Sequence, residues 1–189
     1  IMAYSTILPI TTARFANVAF SNGSLPLGFI ERLNKRQPWS CPTGIRRFFV
    51  SPQESGELCM IASVLGESGD IIFPKLDEER DMISFDAIAT DLLKYLGLEA
   101  EICKTEEEAR QKALLLNENS TSYPVYFFET DTSGEKPYEE FFTEKEIVDN
   151  EKFVNLGVIK NSVRRDLPEI DDIFEKLRRL FESDNVTKA

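Results

Sequence analysis

Residues 10–24 read ITTARFANVAFSNGS, and the fold class turns on how they are taken. From Ile10 to Phe20 the run is rich in β-branched and aromatic side chains, the composition of a strand covered on both faces. Ser21-Asn22-Gly23-Ser24 then supplies the small and polar residues of a turn. A strand buried on both faces needs parallel neighbours, which points to an α/β protein. Too few such neighbours are encoded here, and Ile1-Met2-Ala3-Tyr4 reads as the end of a helix feeding the strand. The expectation is therefore a portion of a longer polypeptide.

Downstream the chain alternates helix and strand signals. From Pro26, the residues Leu27, Ile30 and Leu33 fall at helical spacing, and Gln37 to Gly44 reads as a Pro/Cys/Gly loop. Arg46 to Val50 is a short strand. Ser51-Pro52-Gln53-Glu54 then aligns a capping serine, a first-position proline and a capping-box glutamate. Leu58, Ile61, Ala62 and Leu65 give that helix its apolar face, and Gly66 ends it. Strands are expected at Asp70–Phe73, Glu101–Lys104 and Tyr123–Phe128, and helices over Ser84–Leu96 and after the capping Thr105. A polar loop covers 130–136, and helical segments follow, the last over Ile170–Glu182. The alternation defines an α/β class.

Composition narrows the function. The formal net charge of -11 repels phosphate backbones, so general nucleic-acid binding is disfavoured, although a pocket can be locally basic. The 189 residues contain no histidine, which removes His-based triads and His-ligated metals. No apolar run approaches the roughly 20 residues of a membrane span. Cys41, Cys59 and Cys103 are widely spaced and odd in number, the pattern of buried structural thiols in a reducing compartment rather than of disulfides or a zinc site.

Three segments carry candidate chemistry. Arg14 and Asn17 are polar residues in an apolar strand and need partners if buried. An asparagine at a strand's carboxyl end, beside a Gly/Ser turn, offers donors to a phosphate or sugar oxygen where ligands bind in open α/β sheets. Arg46 and Arg47 sit side by side on a strand, so they alternate faces and only one can enter a pocket; a guanidinium fork suits a diphosphate. In Ser133-Gly134-Glu135-Lys136-Pro137-Tyr138-Glu139-Glu140, Glu135 is a carboxylate able to accept from ribose hydroxyls. Read alone, each has a plain structural alternative: a core strand with a turn, a solvated arginine pair, a turn entering a charged helix.

Together, RFANVAFSNGS, RRFFVSPQES and SGEKPYEEF resemble the polysaccharide-biosynthesis dehydratases of the extended short-chain dehydrogenase/reductase superfamily. The corresponding family stretches read R-(Y/F)-G-N-V-x-G-S-x-G-S, T-R-F-F-(M/V)-T-x-x-E and R-P-G-E-K-x-x-E. The likeness is strong over residues 5–65 and moderate over 130–142. It implies the carboxyl-terminal part of an NAD(P)-binding, Rossmann-like protein with its substrate-binding domain. Residues 1–25 would end the Rossmann-like domain, 26–145 would form the nucleotide-sugar-binding α/β region, and 146–189 a helical extension.

On that resemblance Asn17 contacts the nucleotide-sugar near its phosphates, Arg47 grips the diphosphate, Glu135 holds the ribose, and Ser24 with its turn lines the sugar pocket. Ala16 replaces the usual glycine, and Thr132 or Ser133 stands where an arginine opens R-P-G-E-K, a loss for which Arg46 is the candidate compensation. The glycine-rich GxxGxxG turn, the Tyr-x-x-x-Lys pair and the dehydratases' Asp-Lys pair are absent (Tyr4 is followed at the fourth position by Leu8), so no residue of this chain is assigned a catalytic role. NAD or NADP would be held mainly by an amino-terminal half. The implied function is a cytoplasmic, homo-oligomeric UDP-N-acetylglucosamine 4,6-dehydratase, in which this chain binds the UDP-sugar. An epimerase of the same superfamily, a non-catalytic nucleotide-sugar-binding module and an acidic interaction domain are the alternatives.

Overall fold

The computed structural model describes residues 1–129 and 139–183. After a 3-10 turn at Met2–Thr6, the elements in chain order are β1 (Thr12–Ala13), β2 (Asn17–Val18), α1 (Leu25–Asn34), β3 (Trp39–Pro42), β4 (Arg46–Val50) and α2 (Pro52–Leu65). They continue as β5 (Ile71–Pro74), α3 (Glu78–Asp81), β6 (Met82–Ser84), α4 (Phe85–Tyr95), β7 (Glu99–Cys103), α5 (Glu106–Ala113), β8 (Ser122–Phe128), β9 (Val148–Asp149), β10 (Leu156–Ile159) and α6 (Leu167–Glu182). The fold is mixed α/β. Two compact units interleave along the chain: the first takes Ile1–Arg14, Leu58–Pro74 and Phe142–Ala189, the second Phe15–Glu57 and Lys75–Phe141.

The first unit is built on a sheet of order β1-β5-β10-β9, with β1 parallel to β5 and the other pairs antiparallel. Leu58 and Ala62 of α2 pack with Ile72 and Val158 to form its core. β10 crosses Phe73 closely at Gly157, where a Cβ would lie 2.3 Å from the ring. At the end of the sheet, Lys160 and Lys152 donate to the buried Asp70, at 2.9 and 3.4 Å. Burial pushes the Asp70 carboxyl up, but Lys160, the Glu67 N–H and Lys152 outweigh it and hold it below the carboxylate range.

The second unit carries two sheets, β2-β4-β6 and β3-β8-β7. β2 is parallel to β4, whereas β6 is antiparallel to it. β8 lies parallel to both β3 and β7. Phe29, Trp39, Cys41, Ala89, Leu93, Tyr123 and Val125 fill the core, so α1 and α4 close over the Trp39/Cys41 face of β3. The Trp39 ring is fully buried and stacks on Phe29, with centroids 4.5 Å apart. Thr105 caps α5 as its position predicts, accepting from Glu108 N.

Four expectations change. The continuous strand from Ile10 to Phe20 is instead two short strands, β1 in the first unit and β2 in the second, broken around Arg14–Ala16. The break gives Arg14 its partner: its guanidinium donates to both Glu146 oxygens, at 3.1 and 2.6 Å. The loop expected over 37–44 holds β3, whose apolar alternation is only Trp39 and Cys41 and is masked by Pro38, Pro42 and Gly44. Strands β9 and β10 occupy part of the segment read as helical before α6. Of the thiols, Cys41 and Cys103 are buried as expected but Cys59 is exposed. Among the described residues no helix is long and apolar enough to cross a membrane.

The Arg14–Glu146 pair yields an acid-stability prediction. Arg14, with help from Thr143 N–H, holds the Glu146 carboxyl at about 2, against an ordinary 4.5. A depressed pKa adds stability above the ordinary value, and this is lost as pH falls through the folded one. Urea midpoints of the protein should therefore drop between pH 4.5 and 2. The drop should be shallower in Glu146→Gln, and an unchanged slope would refute the assignment.

Candidate functional site

The parallel pair β2–β4 ends at Val18 and Val50, in register. Beyond those carboxyl ends a cavity of about 280 Å³ is lined by Asn17, Val18, Ser21–Leu25, Phe49 and Phe85. The turn that walls it needs unusual backbone: Gly23 has φ +83 and Phe20 φ 57, the latter uncommon for a bulky side chain. Ser24 then caps α1, its Oγ accepting from Leu27 N at 3.4 Å. Ser24 O takes the Gly28 N–H, and Pro26 has none. The Leu25 N–H is left without a partner among the described residues, at the positive end of the α1 dipole and on the cavity wall.

The two arginines of β4 part company as a strand demands. Arg46 turns away, its guanidinium donating to the carbonyls of Glu78 and Met82 at 2.9 and 3.4 Å. Arg47 lies with its guanidinium carbon 6.0 Å from the centroid of Phe85, a ring of the cavity wall, and also donates to Arg46 O. Asn17 and Ser24 thus line one cavity, Arg47 lies against Phe85 of its wall, and Arg46 does neither. Glu135, with Thr132 and Ser133, lies outside the described residues.

The first described residue after that gap, Glu139, is a site residue that sequence reasoning passed over. Its carboxylate accepts from Asn17 Nδ2, at 3.2 Å to Oε2 and 3.4 Å to Oε1, and from Phe48 N at 3.4 Å. Burial raises its pKa, opposed by the Phe48 N–H and the Arg47 charge. The signal was present: Glu139 is the last acid of the R-P-G-E-K-x-x-E pattern, in a segment whose plain alternative is a turn entering a charged helix.

A second cavity in the same unit, of about 380 Å³, opens along β3, the outer strand of its sheet. Gly28, Arg32 and Lys35 of α1, Trp39 and Ser40 of β3, and Arg110 of α5 are among its walls. Trp39 Nε1 is buried with no partner among the described residues.

The class defined by these observations is a mixed α/β protein with a pocket at the carboxyl ends of a parallel strand pair. A family model described as polysaccharide biosynthesis protein matches residues 3–161. The chain belongs to this family, within the extended short-chain dehydrogenases/reductases. Among solved structures, Pen from Bacillus thuringiensis shares the fold at a TM-score of 0.50 and 18% identity, over 89% of this chain and 49% of that one. The chain spans about half the length of that protein. No curated protein matches it.

Proposed function

We propose that this chain is the UDP-sugar-binding part of a nucleotide-sugar 4,6-dehydratase acting on UDP-N-acetylglucosamine, in a cytoplasmic homo-oligomer. The observation that carries the reading is that Asn17, Ser24 and Leu25, whose N–H has no partner among the described residues, line one cavity, with Arg47 beside Phe85 of its wall. A diphosphate there meets a helix amino terminus and a guanidinium, the pairing that anions favour. Phe49 and Phe85 give a hexose apolar faces to lie against. The base is assigned to the larger cavity, along β3, the outer strand of its sheet. Glu135 is assigned to the ribose.

In this reading the described residues hold no dinucleotide. The nearest approach to a glycine-rich turn is Gly66 and Gly69, and both are filled by the protein itself. A Cβ at Gly66 would meet Thr11 at 2.7 Å, and one at Gly69 would meet Arg164 at 2.2 Å. In this reading NAD(P) belongs to residues outside this sequence. This chain's share is binding and orientation, which removes the entropy of bringing sugar and reacting groups together.

The test is incubation of the full-length protein with UDP-N-acetylglucosamine, followed by mass spectrometry of the nucleotide-sugar. Loss of one water with appearance of a keto group is expected. A product of unchanged mass but altered stereochemistry would replace the dehydratase by an epimerase, and binding without turnover would leave a binding module.

A further inference from the structure

Asn17 has two amide protons, and both are engaged inside the protein. Nδ2 donates to Phe48 O at 3.2 Å, and to the Glu139 carboxylate at 3.2 and 3.4 Å. No described group donates to Oδ1. That oxygen is nevertheless not a buried orphan, because the only such side-chain atom among the described residues is Trp39 Nε1. Asn17 itself is on the cavity wall. The part of the amide with hydrogen-bonding capacity left for a ligand is therefore the carbonyl, an acceptor.

We infer that Glu139 is a positioning residue that holds the Asn17 amide with its oxygen toward the cavity, so that this wall accepts a hydrogen bond from a hydroxyl or N–H of the sugar and does not donate to a phosphate. The inference rests on the nucleotide-sugar reading for the identity of the ligand, but the Asn17–Glu139 arrangement does not. It revises the role that resemblance gives Asn17, and leaves the diphosphate to Arg47 and the Leu25 N–H. An amide turned the other way would set Oδ1 against a carboxylate, which repels it. Phe48 N–H fixes the carboxylate from the side of β4, and Arg47 is the charged group that acts on it.

Glu139→Gln tests this, because glutamine can donate to Asn17 Oδ1 and let the amide reverse. Calorimetry is run with UDP and with UDP-N-acetylglucosamine, alongside 15N–1H spectra of the ligand-free protein. Affinity for UDP-N-acetylglucosamine should fall by about tenfold, the worth of one hydrogen bond, with UDP affinity held. The Asn17 side-chain NH2 signals should shift, and Glu139→Asp, which keeps the carboxylate, should restore both. Should Glu139→Gln not fold, Asn17→Ala is expected to give the same selective loss. Equal weakening of both ligands, no weakening of either, or unmoved Asn17 signals would each overturn the inference. If the unaltered protein takes up neither ligand, the nucleotide-sugar reading fails instead, and the spectra alone decide the Asn17–Glu139 arrangement.

Discussion

Arg47→Ala lowers the affinity for UDP by about tenfold to a hundredfold and leaves the fold standing. The size follows from what is removed: a charge-assisted hydrogen bond to a phosphate contributes about 1.5–3 kcal/mol, and each 1.4 kcal/mol is a factor of about ten. Within this acidic protein Arg47 is the guanidinium set beside the cavity through Phe85. The Leu25 N–H and the α1 dipole retain part of the attraction, so binding weakens without vanishing. Arg46→Ala is the control. Its guanidinium serves the Glu78 and Met82 carbonyls, so it should change UDP affinity by less than about twofold, the scale of a distant screened charge. Lysine at position 47 keeps the charge but not the fork, and should recover only part of the loss.

Trp39→Ala destabilises the protein by about 3–5 kcal/mol, the usual cost of emptying a large aromatic site in a core. Trp39 is fully buried, stacks on Phe29 and is tilted against Tyr123 at 5.6 Å, so it joins β3 to the core beneath α1 and α4. Trp39→Phe should cost much less than alanine. It keeps a ring against Phe29 and removes the indole N–H, which has no partner among the described residues and whose desolvation opposes folding. Denaturant midpoints read both effects, and equal losses for the two variants would contradict this role for the indole.

The helix starts were readable because their chemistry is local. At Ser51 the capping box closes as its letters predict, with Ser51 N donating to Glu54 at 2.6 Å and Glu54 N to Ser51 Oγ at 3.1 Å. The break between β1 and β2 was not readable. It depends on Glu146, 132 positions away in sequence, which gives Arg14 a partner off the strand. β3 was missed for a related reason: a strand of four residues with a proline in it carries almost no periodicity, and its evidence is the burial of Trp39.

The candidate site shows the same division. Strand alternation said that only one of Arg46 and Arg47 could face a pocket, and a motif was needed to choose between them. Glu139 closes the R-P-G-E-K-x-x-E pattern, but the pattern does not say what it touches, because its partners Asn17 and Phe48 come from β2 and β4. What the letters show there is a run of acids, and only the fold separates a half-buried Glu139 from the exposed Glu140 beside it.

If this chain builds a nucleotide-diphosphate pocket at the ends of β2 and β4, titration calorimetry with UDP reads it without recourse to turnover. Saturable one-to-one binding is expected, weakened by Arg47→Ala and spared by Arg46→Ala. A folded protein that gives no binding heat with UDP over a range of temperatures, or that loses as much affinity with Arg46→Ala as with Arg47→Ala, would contradict the pocket.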